Sequence, residues 1–188
     1  MEVIFNYFNN ILPITKKEME EITPLLKTKT VEKDELLLDP GQTCKFMAFI
    51  LKGTFRSYHT KSNGESINLM LNSENEFISD LESFISKTPS NVYIQAIEKA
   101  EIITISAESL EKLYQKSPYW NTLGRKMTEE VFILSKRRLE NLLYNKPTER
   151  YMELINNYPD FFDKYSLTDI SKFIGITPQS LSRIRAKI

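Results

Sequence analysis

LTDISKFIGITPQSLSRIRAKI, residues 167–188, divides into two short helical segments that meet at a glycine. Leu167, Ile170, Ile174, Leu181 and Ile184 recur at helical spacing in two groups, separated by Gly175-Ile176-Thr177. Gly175 supplies a positive-φ residue without steric cost and so ends the first helix, after which Ile176 can turn inward beneath the corner. Thr177 then suits an N-cap and Pro178 the first helical position, where a missing N–H costs nothing. Ser171 falls where the helices cross, and its small side chain permits the steep contact of a helix-turn-helix. In the second helix Leu181, Ile184 and Ile188 are expected to point inward, leaving Gln179, Ser180, Ser182, Arg183 and Arg185 outside. Amide, hydroxyl and guanidinium groups on one helix face suit base edges and phosphates. A two-helix corner in any small domain would share the glycine. The order Gly-Ile-Thr-Pro, followed by outward polar residues and two arginines, favours the helix-turn-helix.

Working outward, the charge is uneven. Up to Gly124 there are 13 Lys+Arg against 17 Asp+Glu; from Arg125 onward there are 12 against 8, so an excess of four negative charges gives way to four positive ones. The helix pair lies in the basic half, as a nucleic-acid contact requires. With 188 residues and 41% hydrophobic content the chain suits one large globular domain or two small ones. No apolar run approaches the roughly 20 residues of a membrane span, and the N-terminus lacks a basic-then-apolar leader, so a cytoplasmic protein without a membrane partner is expected. Cys44 and His59 are each the only residue of their type, which rules out an intrachain disulfide or cysteine cluster; no cofactor or metal is expected.

Ahead of the basic half the periodicity is of two kinds. Thr15-Lys16-Lys17-Glu18 reads as a capping box for a short helix with Ile14, Met19, Ile22, Leu25 and Leu26 on one face, its end blurred by Pro24. Then come short β-type runs: 28–31, 35–38, 46–51, 54–59, 66–71, 92–97 and 102–105. Turn signals stand at Asp39-Pro40-Gly41, Lys52-Gly53 and Ser62-Asn63-Gly64, the last a strong hairpin signal. Many short strands with regular breaks predict a jelly roll or double-stranded β-helix. Metal enzymes of the cupin type share that architecture, but they need several convergent histidines or carboxylates and this chain offers one histidine, so a non-enzyme is expected.

Ser106 caps a helix over 107–116, and Pro118 opens a longer one to about Asn145, roughly 40 Å at 1.5 Å per residue. Its apolar residues Trp120, Leu123, Met127, Val131 and Leu134 exceed what one roll can cover, and Trp120, Met127, Leu134 and Asn141 recur every seven residues. A parallel homodimer through this helix is expected, against the alternative that it packs only on its own roll. Lys136-Arg137-Arg138 reads as a solvated basic face or as part of a DNA-attracting field. Pro147 marks a hinge, Thr148 to about Asn157 a further helix, and Phe161, Phe162 and Tyr165 lead into the helix pair, giving a three-helix unit with its own small core. The expected class is therefore α+β, with a roll domain over 1–117, a dimerisation helix over 118–146 and a helix-turn-helix domain over 147–188.

GITPQSLSRIR resembles the recognition-helix segment of the Crp/Fnr family of bacterial transcription regulators, in which a cyclic-nucleotide-binding-like β-roll, a dimerisation helix and a helix-turn-helix follow in this order. LLLDPGQ and FMAFILKGTFRSY resemble the family's early roll strands, with Gly41 and Gly53 at its turn glycines. The resemblance places Gln179, Ser182 and Arg183 at base-contacting positions, with Ser180 close by; Thr168, Lys172, Thr177, Arg185 and Lys187 are the candidates for phosphate contacts. Pro178 stands where some members have a reading arginine, so the half-site is expected to differ from theirs. Partners implied are double-stranded DNA, a second copy of the chain, RNA polymerase, and an unidentified small effector. The chain stops at Ile188, so the β-hairpin wing of many members is expected to be absent and the affinity modest.

In cyclic-AMP-binding members, residues 77–84 would be the helix that cradles the phosphate, so Phe77, Ser79, Asp80, Ser90 and Asn91 are the candidate ligand pocket. Here Ser79 and Asp80 replace a glycine and a glutamate, and Ser90 and Asn91 replace an arginine and a serine or threonine. A buried phosphate needs a cation to offset its desolvation, and within this cassette only Lys87 carries one. The expectation is a homodimeric DNA-binding regulator that does not respond to cyclic AMP. The alternative is a roll-based ligand- or protein-binding module whose helix-turn-helix no longer contacts DNA.

Overall fold

In the computed structural model, which describes residues 1–187, the roll is two four-stranded antiparallel sheets. Strands β1 (Lys27–Val31), β8 (Ala100–Ser106), β3 (Phe46–Lys52) and β6 (Phe77–Ile78) form the first sheet in that order. Strands β2 (Leu36–Leu38), β7 (Tyr93–Ala96), β4 (Phe55–Thr60) and β5 (Ser66–Asn72) form the second. Alternation along each strand sends one set of side chains between the sheets, and Val31, Leu38, Ala48, Ile50, Phe55, Ile78, Ile94 and Ile102 close that interior. The Lys52-Gly53 turn requires its glycine: φ is +97°, and a Cβ would stand 2.8 Å from that of Ala100. The Asn63-Gly64 hairpin joins β4 to β5 as the sequence predicts, with the Gly64 N–H on the Lys61 carbonyl at 3.0 Å.

The opposite set of side chains on the first sheet is apolar too, so that face must be covered. Phe49, Ile103 and Ile105 pack beneath three helices: α1 (Glu2–Ile11), α4 (Ala107–Lys116) and α5 (Pro118–Tyr144). Helix α2 (Lys16–Ile22), begun by the capping box in which Glu18 accepts the Thr15 N–H at 3.0 Å, passes into a 3₁₀ turn over Thr23–Leu25 at Pro24. A short α3 (Leu81–Ser86) follows β6, with the Asp80 side chain accepting from the Ser83 N–H.

Helix α5 runs 27 residues from its Ser117 cap. Trp120 and Leu123, expected on a dimer seam, are instead 2% and 3% exposed within their own chain: they fill the apolar layer between α5, α1 and the first sheet, and the indole N–H donates to Glu21 at 3.0 Å. Met127 packs at the edge of that layer, while Val131 and Leu134 are exposed. Past Asn145 follow α6 (Pro147–Asn157), α7 (Phe161–Lys164), α8 (Leu167–Phe173) and α9 (Pro178–Arg185). The expected three-helix unit thus has a fourth, one-turn helix at Phe161, and its core is not wholly its own. Leu71 and Ile97 of the roll join Tyr151, Leu154, Tyr165, Ile170, Ile174 and Leu181 there.

Candidate nucleic-acid interface

The two helices of the pair are set by local chemistry. Ser166 caps α8, its hydroxyl oxygen accepting the Asp169 N–H at 3.0 Å, and Thr177 caps α9, accepting the Ser180 N–H at 3.2 Å. Between them Gly175 takes φ +71° and the Ile176 N–H reaches back to the Ser171 carbonyl at 2.9 Å. That bond satisfies one of the carbonyls a helix end leaves orphaned. Ser171 is fully buried where the helices cross and Leu181 anchors α9 to the core, as the spacing predicts. Leu167 differs: at the first position of α8 it stands exposed outside the corner. The expected inward position of Ile188 lies outside the described residues.

With Leu181 inward, Thr177, Gln179, Ser182, Arg183, Arg185 and Lys187 are all exposed on the outside of α9 and just past it. Ser180 is half-buried, because its hydroxyl lies 3.0 Å from that of Thr177 in the cap and accepts from Arg183 Nη2 at 3.4 Å. Arg183 lies back along its own helix. Among the described residues no acidic side chain pairs with Arg183, Arg185 or Lys187, so three cations share one end of the molecule without a counter-charge. Thr168 is exposed at the start of α8. Lys172, one turn on, is half-buried and its ammonium donates to Ser66 of β5 at 2.8 Å.

Contacts that sequence reasoning missed hold this unit against the roll. The Asp169 carboxylate accepts from Arg56 Nη1 at 2.9 Å and Asn68 Nδ2 at 3.3 Å. Arg138, expected on a solvated basic face, instead turns inward. One nitrogen, Nη2, donates to the Asn68 and Phe173 carbonyls at 3.0 and 2.8 Å, while the guanidinium lies 3.7 Å from the centre of the Phe173 ring. Phe173 ends α8, where a cation is favoured by the exposed carbonyls of the helix terminus. Burial pushes the Arg138 guanidinium down to about 10. No short-range sequence signal marks these pairs, since Arg56 and Asp169 lie 113 residues apart.

In the roll, the five candidate pocket residues each take up local partners. Phe77 turns to the outside of the first sheet, against Tyr7, Phe8 and Phe49. Ser79 donates to the Phe46 carbonyl at 2.9 Å, and Asp80 caps α3. The Ser90 hydroxyl is buried, bonded to the Val92 N–H at 2.9 Å and the Val92 carbonyl at 3.2 Å, and the Asn91 carbonyl lies 3.0 Å from His59 Nδ1. Lys87, the cassette's cation, is exposed at the left-handed C-cap of α3, with φ 59°.

The architecture is thus an eight-stranded roll joined by one long helix to a capped helix-turn-helix. Residues 28–117 match the family model of the cyclic nucleotide-binding domain, and over its length the chain has the fold of Crp/Fnr regulators. A putative transcriptional regulator of the Crp/Fnr family from Eubacterium rectale is similar with a TM-score of 0.74 at 15% identity, over 97% of this chain and 87% of that one. CLP of Xanthomonas campestris, described as a c-di-GMP responsive global regulator, gives 0.71 at 14% identity over 92% and 91% of the two chains. FixK2 of Bradyrhizobium japonicum gives 0.70 at 17%, over 86% and 83%. At these identities the likeness is one of fold. No curated protein matches the sequence. Among the described residues no helix is long and apolar enough to cross a membrane.

Proposed function

We propose that the protein is a sequence-specific DNA-binding transcriptional regulator acting as a homodimer and not responding to cyclic AMP. The observation that carries the reading is the outer face of α9, where Gln179, Ser182 and Arg183 project from a firmly capped helix beside Arg185 and Lys187, which pair with no acidic side chain among the described residues. Arg183 is suited to a bidentate contact with guanine and Gln179 to one with adenine, each worth about 1–3 kcal/mol of discrimination. Thr168, Thr177, Arg185 and Lys187 take phosphate positions, which orient the protein without reading sequence.

Dimerisation is supported by the outer half of α5. Val131 and Leu134 continue the line of Met127 along a cleft of about 1500 Å³, and a second α5 would remove them from water. Insensitivity to cyclic AMP is supported by Ser90, whose hydroxyl is already taken by the backbone of Val92 and carries no charge to offset a buried phosphate.

Selection of bound duplexes from a random pool tests the reading. The wild type should enrich one approximately palindromic site, and Arg183→Ala should lose the preference while keeping weak nonspecific binding; a pool that stays random with wild type refutes the assignment. Cyclic AMP at millimolar concentration should leave the melting temperature unchanged, since a ligand that binds only the native state must raise it.

A further inference from the structure

Two arginines from different helices end at the same helix terminus. Arg138 of α5 donates through Nη2 to the Phe173 carbonyl at 2.8 Å, and Arg150 of α6 donates through Nε to the next carbonyl, that of Ile174, at 2.9 Å. Backbone holds each of them a second time, Arg138 at the Asn68 carbonyl and Arg150 at that of Asn145, at 3.0 and 2.9 Å. Among the described residues neither forms an ion pair with a carboxylate. The carbonyls of a helix end carry only about half an elementary charge between them, so two guanidiniums leave an excess of positive charge there. Arg138 Nε and Nη1 and Arg150 Nη2 bond to no described residue, and none of the three is sealed from solvent. Both arginines line the cleft of about 1500 Å³. An apolar wall continues from them along the same cleft: Arg138 lies over the Phe173 ring, Phe161 follows at 5.9 Å between ring centres, and Tyr158 at 5.2 Å beyond it.

We propose that this end of the cleft, between α5, α6 and the last turn of α8, is a binding site for an organic monocarboxylate with an apolar body. A planar guanidinium presents paired donors that match the two oxygens of a carboxylate. Because backbone already fixes both arginines, little side-chain freedom is left to lose on binding. The body of the ligand lies along Phe173, Phe161 and Tyr158, where it excludes water and strengthens the charge contact beside it. Glu153 lines the same cleft, its carboxylate accepting Asn145 Nδ2 at 3.3 Å. Two guanidiniums, Glu153 and one bound carboxylate sum to zero charge, whereas a phosphate dianion would overshoot and leave the aromatic wall bare. A second α5 laid over Val131 and Leu134 covers the outer part of the cleft and leaves this inner end, built from one chain, in place.

Octanoate, kept below its micellar range, is the probe, titrated into the full chain by calorimetry. It should bind saturably, a single molecule per chain. Octanol keeps the body without the charge and acetate the charge without the body, so each should bind about tenfold more weakly or worse. Arg138→Met should weaken octanoate by about the same factor. No saturable heat, octanol binding as well as octanoate, or undiminished binding by the variant overturns the site; displacement of octanoate by equimolar inorganic phosphate overturns the assignment to a monocarboxylate. Since Arg138 also ties α5 to α8, a second measurement leaves the chain unaltered. Modification of Arg138 and Arg150 by phenylglyoxal, followed by mass spectrometry, should slow several-fold when octanoate is present while that of Arg183 stays unchanged. Equal rates with and without octanoate, or slowing at Arg183 to the same extent, would overturn the proposal. DNA enters neither measurement, so both outcomes leave the reading of α9 to its own test.

Discussion

Glu76 lies in the turn between β5 and β6 with its carboxylate turned into the protein, accepting from Asn72 Nδ2 at 2.9 Å and the Ser73 N–H at 3.3 Å. Burial lifts this carboxyl above the ordinary range, outweighing those two bonds and nearby Lys164. A raised folded-state value means that the native protein holds the proton more tightly than the unfolded chain. Stability from this group is therefore full below the ordinary glutamate value and falls as pH climbs through the raised one. Glu76→Gln should raise the denaturation midpoint at neutral pH and flatten its decline between weakly acidic and neutral conditions, as urea titrations at both pH values would show. An equal loss of stability at both would contradict it. At this scale the sequence is informative where the chemistry is local: Thr177, Pro178 and Gly175 act on backbone within four residues, so their roles could be read directly. Lys172, Arg138 and Asp169 could not be placed so, because Ser66, Asn68 and Arg56, which set their surroundings, are 70 to 113 residues away.

Among the elements, three helices with side-chain caps are legible to within a residue or two: α4 after Ser106, α5 after Ser117 and α9 after Thr177. Helix α1 is not, since Met1 offers no capping side chain and only Ile4 and Phe8 are buried along its ten residues. Strand β6 is two residues long, too short for alternation to show. Helix α5 shows both the power and the limit of periodicity. Its apolar residues are too many for one roll, yet the seven-residue spacing does not tell which half faces the protein's own sheet. Trp120 and Leu123 do, while Val131, Leu134 and Leu142 lie exposed, with Phe132, Leu139 and Leu143 on a second stripe about 100° round the helix. The first stripe continues from Met127, so Leu134→Glu should shift sedimentation from dimer to monomer and weaken operator binding about as far as one reading helix weakens it alone. Phe132→Glu should leave the assembly intact. The reverse ranking would move the seam to the other stripe.

Across the whole molecule, both outer faces of the roll are in use: α1, α4 and α5 cover one sheet, and the helix-turn-helix rests on the other through Asn68, Leu71 and Ile97. The order of these parts is legible in the sequence but this docking is not, and the core expected to be self-contained at the C-terminus is shared, because Leu71 and Ile97 look like ordinary strand residues until the sheet they face is known. Two such molecules joined along α5 would carry two α9 helices, and a symmetric pair matches a duplex only when its reading helices meet successive major grooves on one side. The separation that satisfies this is one helical turn, about 34 Å or 10–10.5 base pairs between half-site centres. Operators with half-sites moved apart by about 5 base pairs would present the second half-site on the opposite side of the duplex. Gel-shift titration should then show affinity falling to that of a single half-site, with recovery when the insertion reaches a full turn. Binding indifferent to spacing would mean that each helix-turn-helix reads DNA independently and that α5 does not fix their separation.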